Sequence, residues 1–299
     1  MPSPSPPRSL GPAYAALVLA AFSFSTNWIV GRGLSDNVPP FAISFWRWFF
    51  AALPLVPFAI GPMRRDWPII RANFRLLVIL SVLGVGVFQL FSYWGLRYTL
   101  ATNGALLNSG VPIFVVLISA LVYGERMSGR IALGVGISLI GVVTIIVRGD
   151  LDTLFTLGFN RGDLLILVAM ISWALYSIRL RERPAGLSTL SFVTFSFVVG
   201  MLLTGVFYLL ELALGMHGNY TPKVWAGLVW LGLVPSLVAY FCWNYGVARL
   251  GAPRAGPFAH LIPVFAAILA MIFLDERPQP YHFAGFALVL AGIWVSARR

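Results

Sequence analysis

Apolar residues run along this chain in ten blocks, at 13–32, 40–60, 74–96, 100–122, 130–147, 162–180, 188–210, 224–247, 251–274 and 281–297. Each is near the ~20 residues that carry a helix across the hydrocarbon core of a bilayer. Blocks that are apolar on every face have no period by which to tell helix from strand, so length decides. Strands of a membrane barrel are about half as long and alternate in polarity. In lipid the backbone must satisfy its own polar groups, and uninterrupted blocks of this size do so as helices. Polar punctuation separates the blocks: Pro39-Pro40, Arg64-Arg65-Asp66, Glu125-Arg126, Arg148 to Asp163, Arg181-Glu182-Arg183-Pro184, residues 211–223 and Asp275-Glu276-Arg277-Pro278. Residues 1–12, MPSPSPPRSLGP, are rich in proline and serine and are expected to form a disordered tail. The block at 13–32 has no clear small-residue cleavage site and carries Asn27 beside Trp28, so it reads as a span rather than a signal peptide.

Two stretches of the chain share one spacing. Pro112-x-Phe114 is followed by Glu125-Arg126, Gly134 and Gly141, and Pro263-x-Phe265 by Glu276-Arg277, Gly285 and Gly292. Each residue of the second set stands 151 positions after its counterpart, and the match reaches back to Gly95/Gly246 and Ala101/Ala252. That offset is about half of the 299 residues, so one supersecondary unit is used twice. Five helices per unit is an odd number, which turns the second unit upside down in the membrane and places Glu125 and Glu276 on opposite sides. The expected organisation is an all-α membrane protein of ten transmembrane helices. After the tail comes a first five-helix repeat at 13–148 and then a second, inverted one at 161–299, the two enclosing a central cavity.

Composition agrees with a lipid medium: 59% of residues are apolar and 10% charged, and the mean hydropathy is +0.86. The net charge of +11 forms no basic stripe, which argues against a nucleic-acid partner. The termini and even-numbered loops hold 14 of the 21 Lys and Arg residues, the odd-numbered loops six, and Arg47 lies within a span. This bias puts both termini in the cytoplasm of a bacterial-type inner membrane. Cys242 is the one cysteine, so an internal disulfide and a cysteine metal site are both excluded.

Two five-helix repeats, each closing with Pro…Glu-Arg…Gly…Gly, together resemble the EamA branch of the drug/metabolite transporter superfamily, over about Ala13 to Arg299. Arg47, within Phe45-Trp46-Arg47-Trp48-Phe49, also sits where that family often has arginine. Aromatic content and length are similar to the amino-acid exporters of the group, notably the YddG-type aromatic amino-acid exporters. The resemblance implies fifth and tenth helices at the periphery, with helices one, three, four, six, eight and nine around the cavity.

Polar side chains within a span are costly unless they face protein or water, so they are the candidates for a site. Gln89 and Tyr93 share a face of the third span, and the offset maps them onto Tyr240 and Asn244 of the eighth, with Trp243 adjacent. Trp173 and Tyr176 on the sixth span and Asn27 and Trp28 on the first offer rings for an apolar side chain and amides for its polar groups. Asn108 precedes Pro112, and His260 precedes Pro263, where a proline frees a carbonyl and bends the helix. These eleven residues form the candidate substrate site; the competing reading of each is a helix–helix hydrogen bond or aromatic packing. Arg47 reads as an anchor to the interface or to a neighbouring carbonyl, or as a lure for a carboxylate. Small residues on the fifth span (Gly134, Ser138, Gly141) and the tenth (Ala284, Ala287, Ala291) permit close helix packing, within the chain or between subunits.

No Asp or Glu falls mid-span, which speaks against an acidic proton relay or sodium site. Phosphate-loop, nucleophile-elbow and zinc-protease motifs do not occur, so the chain is expected to be no enzyme and to need no cofactor and no metal. The expectation is a secondary transporter that exports small neutral metabolites by alternating access of its inverted repeats. Amino acids, aromatic ones included, are the leading substrates, and efflux of lipophilic drugs or other small metabolites is the alternative. Its partners are then the lipid bilayer and a small-molecule substrate, in a monomer or homodimer.

Overall fold

The computed structural model describes residues 10–35, 37–98, 107–108, 111–124, 128–146, 152, 161–273 and 279–297. The tail up to residue 9, Glu125-Arg126, Arg148, Asp275 and Glu276-Arg277 lie outside these residues, as does the side chain of Trp28. Helices and turns account for the described residues, with no strand among them.

Each apolar block is helical over most of its described residues. The first span is Gly11–Ser35, the third Phe74–Leu96, the sixth Arg161–Glu182, the seventh Thr189–Ala213 and the eighth Pro222–Leu250. The fourth is described at Val111–Tyr123 and the fifth is Gly129–Ile146. Short turns at 252–260 lead into the ninth, Leu261–Phe273, and the tenth is Pro280–Ala297. Ser188 and Thr221 start the seventh and eighth spans as N-caps, accepting the backbone N–H of Ser191 and Val224. Gly124 (φ 62°) and Gly251 (φ 79°) end the fourth and eighth in the left-handed region that glycine enters without strain.

The second span departs from a single rod over 40–60. Helix Pro40–Ala52 breaks at Leu53–Pro54, and a second helix, Leu55–Ala72, leaves it at 68°. Pro54 has no N–H for the carbonyl one turn back and its ring crowds that carbonyl, which breaks the rod. The expected Arg64-Arg65-Asp66 loop is therefore part of a helical arm. The seventh span runs three residues beyond the expected 210, so Glu211 is on helix and buried rather than in a loop.

Repeat symmetry shows in two details of geometry. A widened π-helical turn interrupts the third span at Val82–Val87 and the eighth at Leu233–Val238, again 151 positions apart. The fifth and tenth spans then cross antiparallel at their glycines. A Cβ built at Gly134 would stand 2.5 Å from the Gly292 carbonyl oxygen, and one at Gly141 would stand 2.7 Å from that of Gly285. Since Gly285 and Gly292 are the counterparts of Gly134 and Gly141, exchanging the halves maps each contact onto the other, as a two-fold axis across the helices requires. Ser138 and Ser296 line the same seam, while Ala284, Ala287 and Ala291 face outward. The small-residue face of the fifth span is thus the packed one, within the chain. On the tenth span the packed face is the glycine face, not the alanine one.

The second and seventh spans, also repeat counterparts, pack against each other and clasp at both ends. Asp66 Oδ2 accepts the Ser188 N–H at 3.0 Å and the Ser191 hydroxyl at 2.8 Å, at the N-terminus of the seventh span. Glu211 in turn accepts the N–H groups of Phe41 (3.1 Å) and Ala42 (2.8 Å), at the N-terminus of the second. Each carboxylate meets the orphan donors and positive dipole end of the other helix.

A cavity between the repeats

Five of the candidate residues come together. Asn27, Tyr93, Asn108, Trp173 and Trp243 line one cavity between the halves, with Phe24, Arg47, Phe88, Ser92, Leu96, Val111, Ala259 and Ile262. Its lining runs from Trp243, seven residues before the end of the eighth span, to Leu96 at the far end of the third. Its unfilled space is about 570 Å³ counting the mouth, but only about 30 Å³ of it admits the centre of a water molecule. The side chains leave slots wide enough for about two waters.

One wall is aromatic. Trp173 meets Phe88 at 4.8 Å between ring centroids, Phe24 at 5.5 Å and Trp243 at 5.7 Å, all within the range of favourable ring pairs. The other wall is a polar knot around Arg47. Its guanidinium donates to Ser236 Oγ (2.5 Å), Asn27 Oδ1 (2.6 Å), the Pro235 carbonyl (3.0 Å) and Tyr93 Oη (3.3 Å). Tyr93 donates onward to Asn27 Oδ1 at 2.8 Å. The widened turn of the eighth span creates this knot. Pro235 has no N–H to offer, and the Ser236 hydroxyl takes the Leu231 carbonyl at 2.7 Å instead. Arg47 is 1% exposed, so it pins a carbonyl and does not reach the interface.

Other candidates sit elsewhere. Tyr176 donates to Asn244 Oδ1 at 2.6 Å, beneath the aromatic wall. Tyr240 donates to the carbonyl of Gly84, in the widened turn of the third span. Gln89 is fully buried off the lining, and neither end of its amide has a hydrogen-bond partner. His260 is fully buried on the turn Gly256–His260, between the lining residues Ala259 and Ile262. Asn244 instead borders a second, wider space, about 1140 Å³ counting its mouth, at the end where the first span begins, which Arg181, Arg183, Thr189 and Arg249 also line. Ser92, Phe24 and Phe88 line the cavity without having stood out. Their signal was spacing: Phe24 is one turn before Asn27, and Phe88 and Ser92 are one turn apart.

Contacts also tie the halves together at the end where the first span begins. Besides the Asp66 clasp, Tyr123 donates to Glu182, and the Arg181 guanidinium lies 3.2 Å from the Tyr123 ring centroid. Glu182 also pairs with Arg179 at 3.0 Å.

Two repeated, wholly helical units around a lined cavity are the build of many membrane transporters. The profile of the EamA-like transporter family matches residues 11–147 and 160–298, one unit per repeat, and the chain belongs to that family. It is similar to a probable terminal-alkyne amino-acid exporter of Streptantibioticus cattleyicolor, at 28% identity over 97% of this chain and 95% of that one. It is 23% identical to a probable amino-acid metabolite efflux pump of Escherichia coli K12, over 93% of this chain and 92% of the relative. An uncharacterized transporter of Bacillus subtilis, YyaM, is 27% identical over 85% of this chain and 83% of its own. A solved crystal structure shares the fold, with a TM-score of 0.74 over 96% of this chain and 98% of that one at 19% identity. The chain is therefore a multi-pass membrane transporter and not an enzyme.

Proposed function

We propose that this transporter exports small neutral metabolites, amino acids foremost and aromatic ones among them, by alternating access of its two repeats. The observation that carries this reading is the cavity between the halves, with an aromatic wall of Phe24, Phe88, Trp173 and Trp243 facing a polar one of Asn27, Arg47, Tyr93 and Asn108. An aromatic wall takes an apolar side chain, and amides and hydroxyls take the polar end of the same molecule. The names of two relatives, an amino-acid exporter and an amino-acid metabolite efflux pump, support the substrate class and the direction. With the termini in the cytoplasm, the second space with its three arginines is the inner vestibule, and the layer of Trp173, Tyr176, Tyr240 and Asn244 separates it from the cavity. Rocking of the halves opens that layer inward and widens the slots enough to admit a substrate. No carboxylate lines the cavity among the described residues, so export down a concentration gradient needs no proton carrier.

Purified protein in liposomes loaded with a panel of neutral amino acids tests this. Aromatic and large apolar members should leave faster than from empty liposomes, and Trp173→Ala should slow them by about tenfold, the equivalent of ~1.4 kcal/mol. A panel in which no amino acid leaves faster than from protein-free vesicles rejects the proposal.

A further inference from the structure

Arg47 is a buried cation whose hydrogen-bond partners are all neutral. Ser236, Asn27, Tyr93 and the Pro235 carbonyl take its N–H groups, and its Cζ stands 5.0 Å from the Trp48 ring centroid. The ion pairs Arg65–Asp66 and Arg179–Glu182 do not involve it. Glu211, the buried carboxylate that packs against the same helix, is committed to the N–H groups of Phe41 and Ala42. Those are five and six residues before Arg47, or about 8–9 Å along the axis at 1.5 Å per residue. A charge held out of water without a counter-charge is costly, and an anion beside it recovers part of that cost.

The lining around Arg47 is built to donate. Asn27 Oδ1 already accepts from both Arg47 and Tyr93, which leaves the Asn27 amide hydrogens for another group. Ser92 Oγ, on the same lining and 4% exposed, has no hydrogen-bond partner, and neither does Trp243 Nε1. Buried polar atoms without partners call for a ligand or water to satisfy them. A planar guanidinium with neighbouring donors suits a carboxylate above other groups. No acid in the lining matches an ammonium, for which only ring faces and amide or hydroxyl oxygens remain.

We propose that the cavity selects its substrates by a carboxylate, with Arg47 as the anchoring charge and Asn27 and Ser92 as flanking donors. An amino acid is then held by its carboxylate with its side chain on the aromatic wall, and its ammonium is the dispensable group. The proposal rests on the reading of this cavity as the transport site.

Efflux from proteoliposomes loaded with matched analogues tests it: phenylalanine, its 2-hydroxy acid, its primary amide and phenethylamine. The two acids should leave at comparable rates, and the amide and the amine about 30-fold more slowly or worse, the order expected for a buried charge left unpaired. Arg47→Gln should erase the preference for acid over amide, while Arg47→Lys should keep the preference with a higher KM. Should Arg47→Gln fail to fold, the wild-type series still decides. An amide or amine exported by the wild type as fast as the acid overturns the carboxylate proposal while leaving the transport reading intact. Loss of the hydroxy acid alone also overturns it, because the ammonium would then be required. If none of the four analogues and no other amino acid crosses, the transport reading fails with it.

Discussion

Asp66 stands at a helix N-terminus with two further donors, and its ionisation sets how long the clasp between the second and seventh spans lasts. The hydrogen bonds from Ser188 and Ser191 hold its carboxyl well below the ordinary value of 3.8, against the opposing effect of burial. A carboxylate whose pKa is depressed by folding contributes stability that is fully present above the unfolded value and fades as pH falls through the folded one. The melting temperature of Asp66→Asn should therefore lie below that of the wild type by a constant margin from about pH 5 upward. The gap should narrow only below about 3.8. A gap that closes between about pH 5 and 7 would mean that another group, and not this carboxylate, carries the clasp. The site was partly legible at this scale. Asn27, Tyr93, Asn108, Trp173 and Trp243 reach the cavity, because polar or large aromatic residues inside a span need a protein-lined destination. Arg47 was visible too, but a sequence does not show whether a long side chain reaches the interface or turns inward.

Element by element, the apolar blocks gave most span ends to within a few residues, the third at both ends, since bilayer thickness fixes length. Breaks inside a block were hidden. Residues 53–60 stay apolar across the 68° bend, and hydropathy registers composition, not direction. The widened turns at Val82–Val87 and Leu233–Val238 were equally silent, and they turn the faces that follow. Those turns do not part the candidate pairs, because Gln89 and Tyr93 share the regular segment Phe88–Leu96 and Tyr240 and Asn244 share Ala239–Leu250, yet of the four Tyr93 alone is in the cavity lining. The glycine seam permits a sharp test. A methyl group at Gly141 would meet backbone atoms of Gly285 and Val289 at 2.7 and 2.8 Å, and backbone has little freedom to yield. Gly136, on the same span, has nothing within 4 Å of such a methyl. Gly141→Ala should destabilise the detergent-purified protein by about 1–3 kcal/mol, whereas Gly136→Ala should be neutral or slightly stabilising. Equal melting temperatures for the two variants would show that the seam is not close-packed in solution.

For the molecule as a whole, the inverted symmetry makes opposite ends of the bundle chemically alike but not equally closed. At the end where the first span begins, the Asp66 clasp, the Tyr123–Glu182 hydrogen bond and the Arg181–Tyr123 contact all tie one half to the other. At the far end, Glu211 holds Phe41 and Ala42, the Asn219 N–H reaches the Asn37 carbonyl at 2.8 Å, and Trp230 donates to Thr26 at 3.2 Å. The cavity lies between these two sets of ties, and the wider, arginine-lined space borders the terminal end. Which side of the membrane that is follows from the charge bias, and single cysteines at repeat counterparts decide it. Ser128 and Gln279 are 151 positions apart, at the starts of the fifth and tenth spans. In a Cys242→Ser background, an impermeant thiol reagent added to intact cells should label Gln279→Cys and spare Ser128→Cys, which reacts once the membrane is opened. The reverse pattern would invert the protein and turn the arginine-lined space into an outer vestibule. Labelling of both from one side would contradict the two-fold relation between the halves, and with it the rocking motion proposed for export.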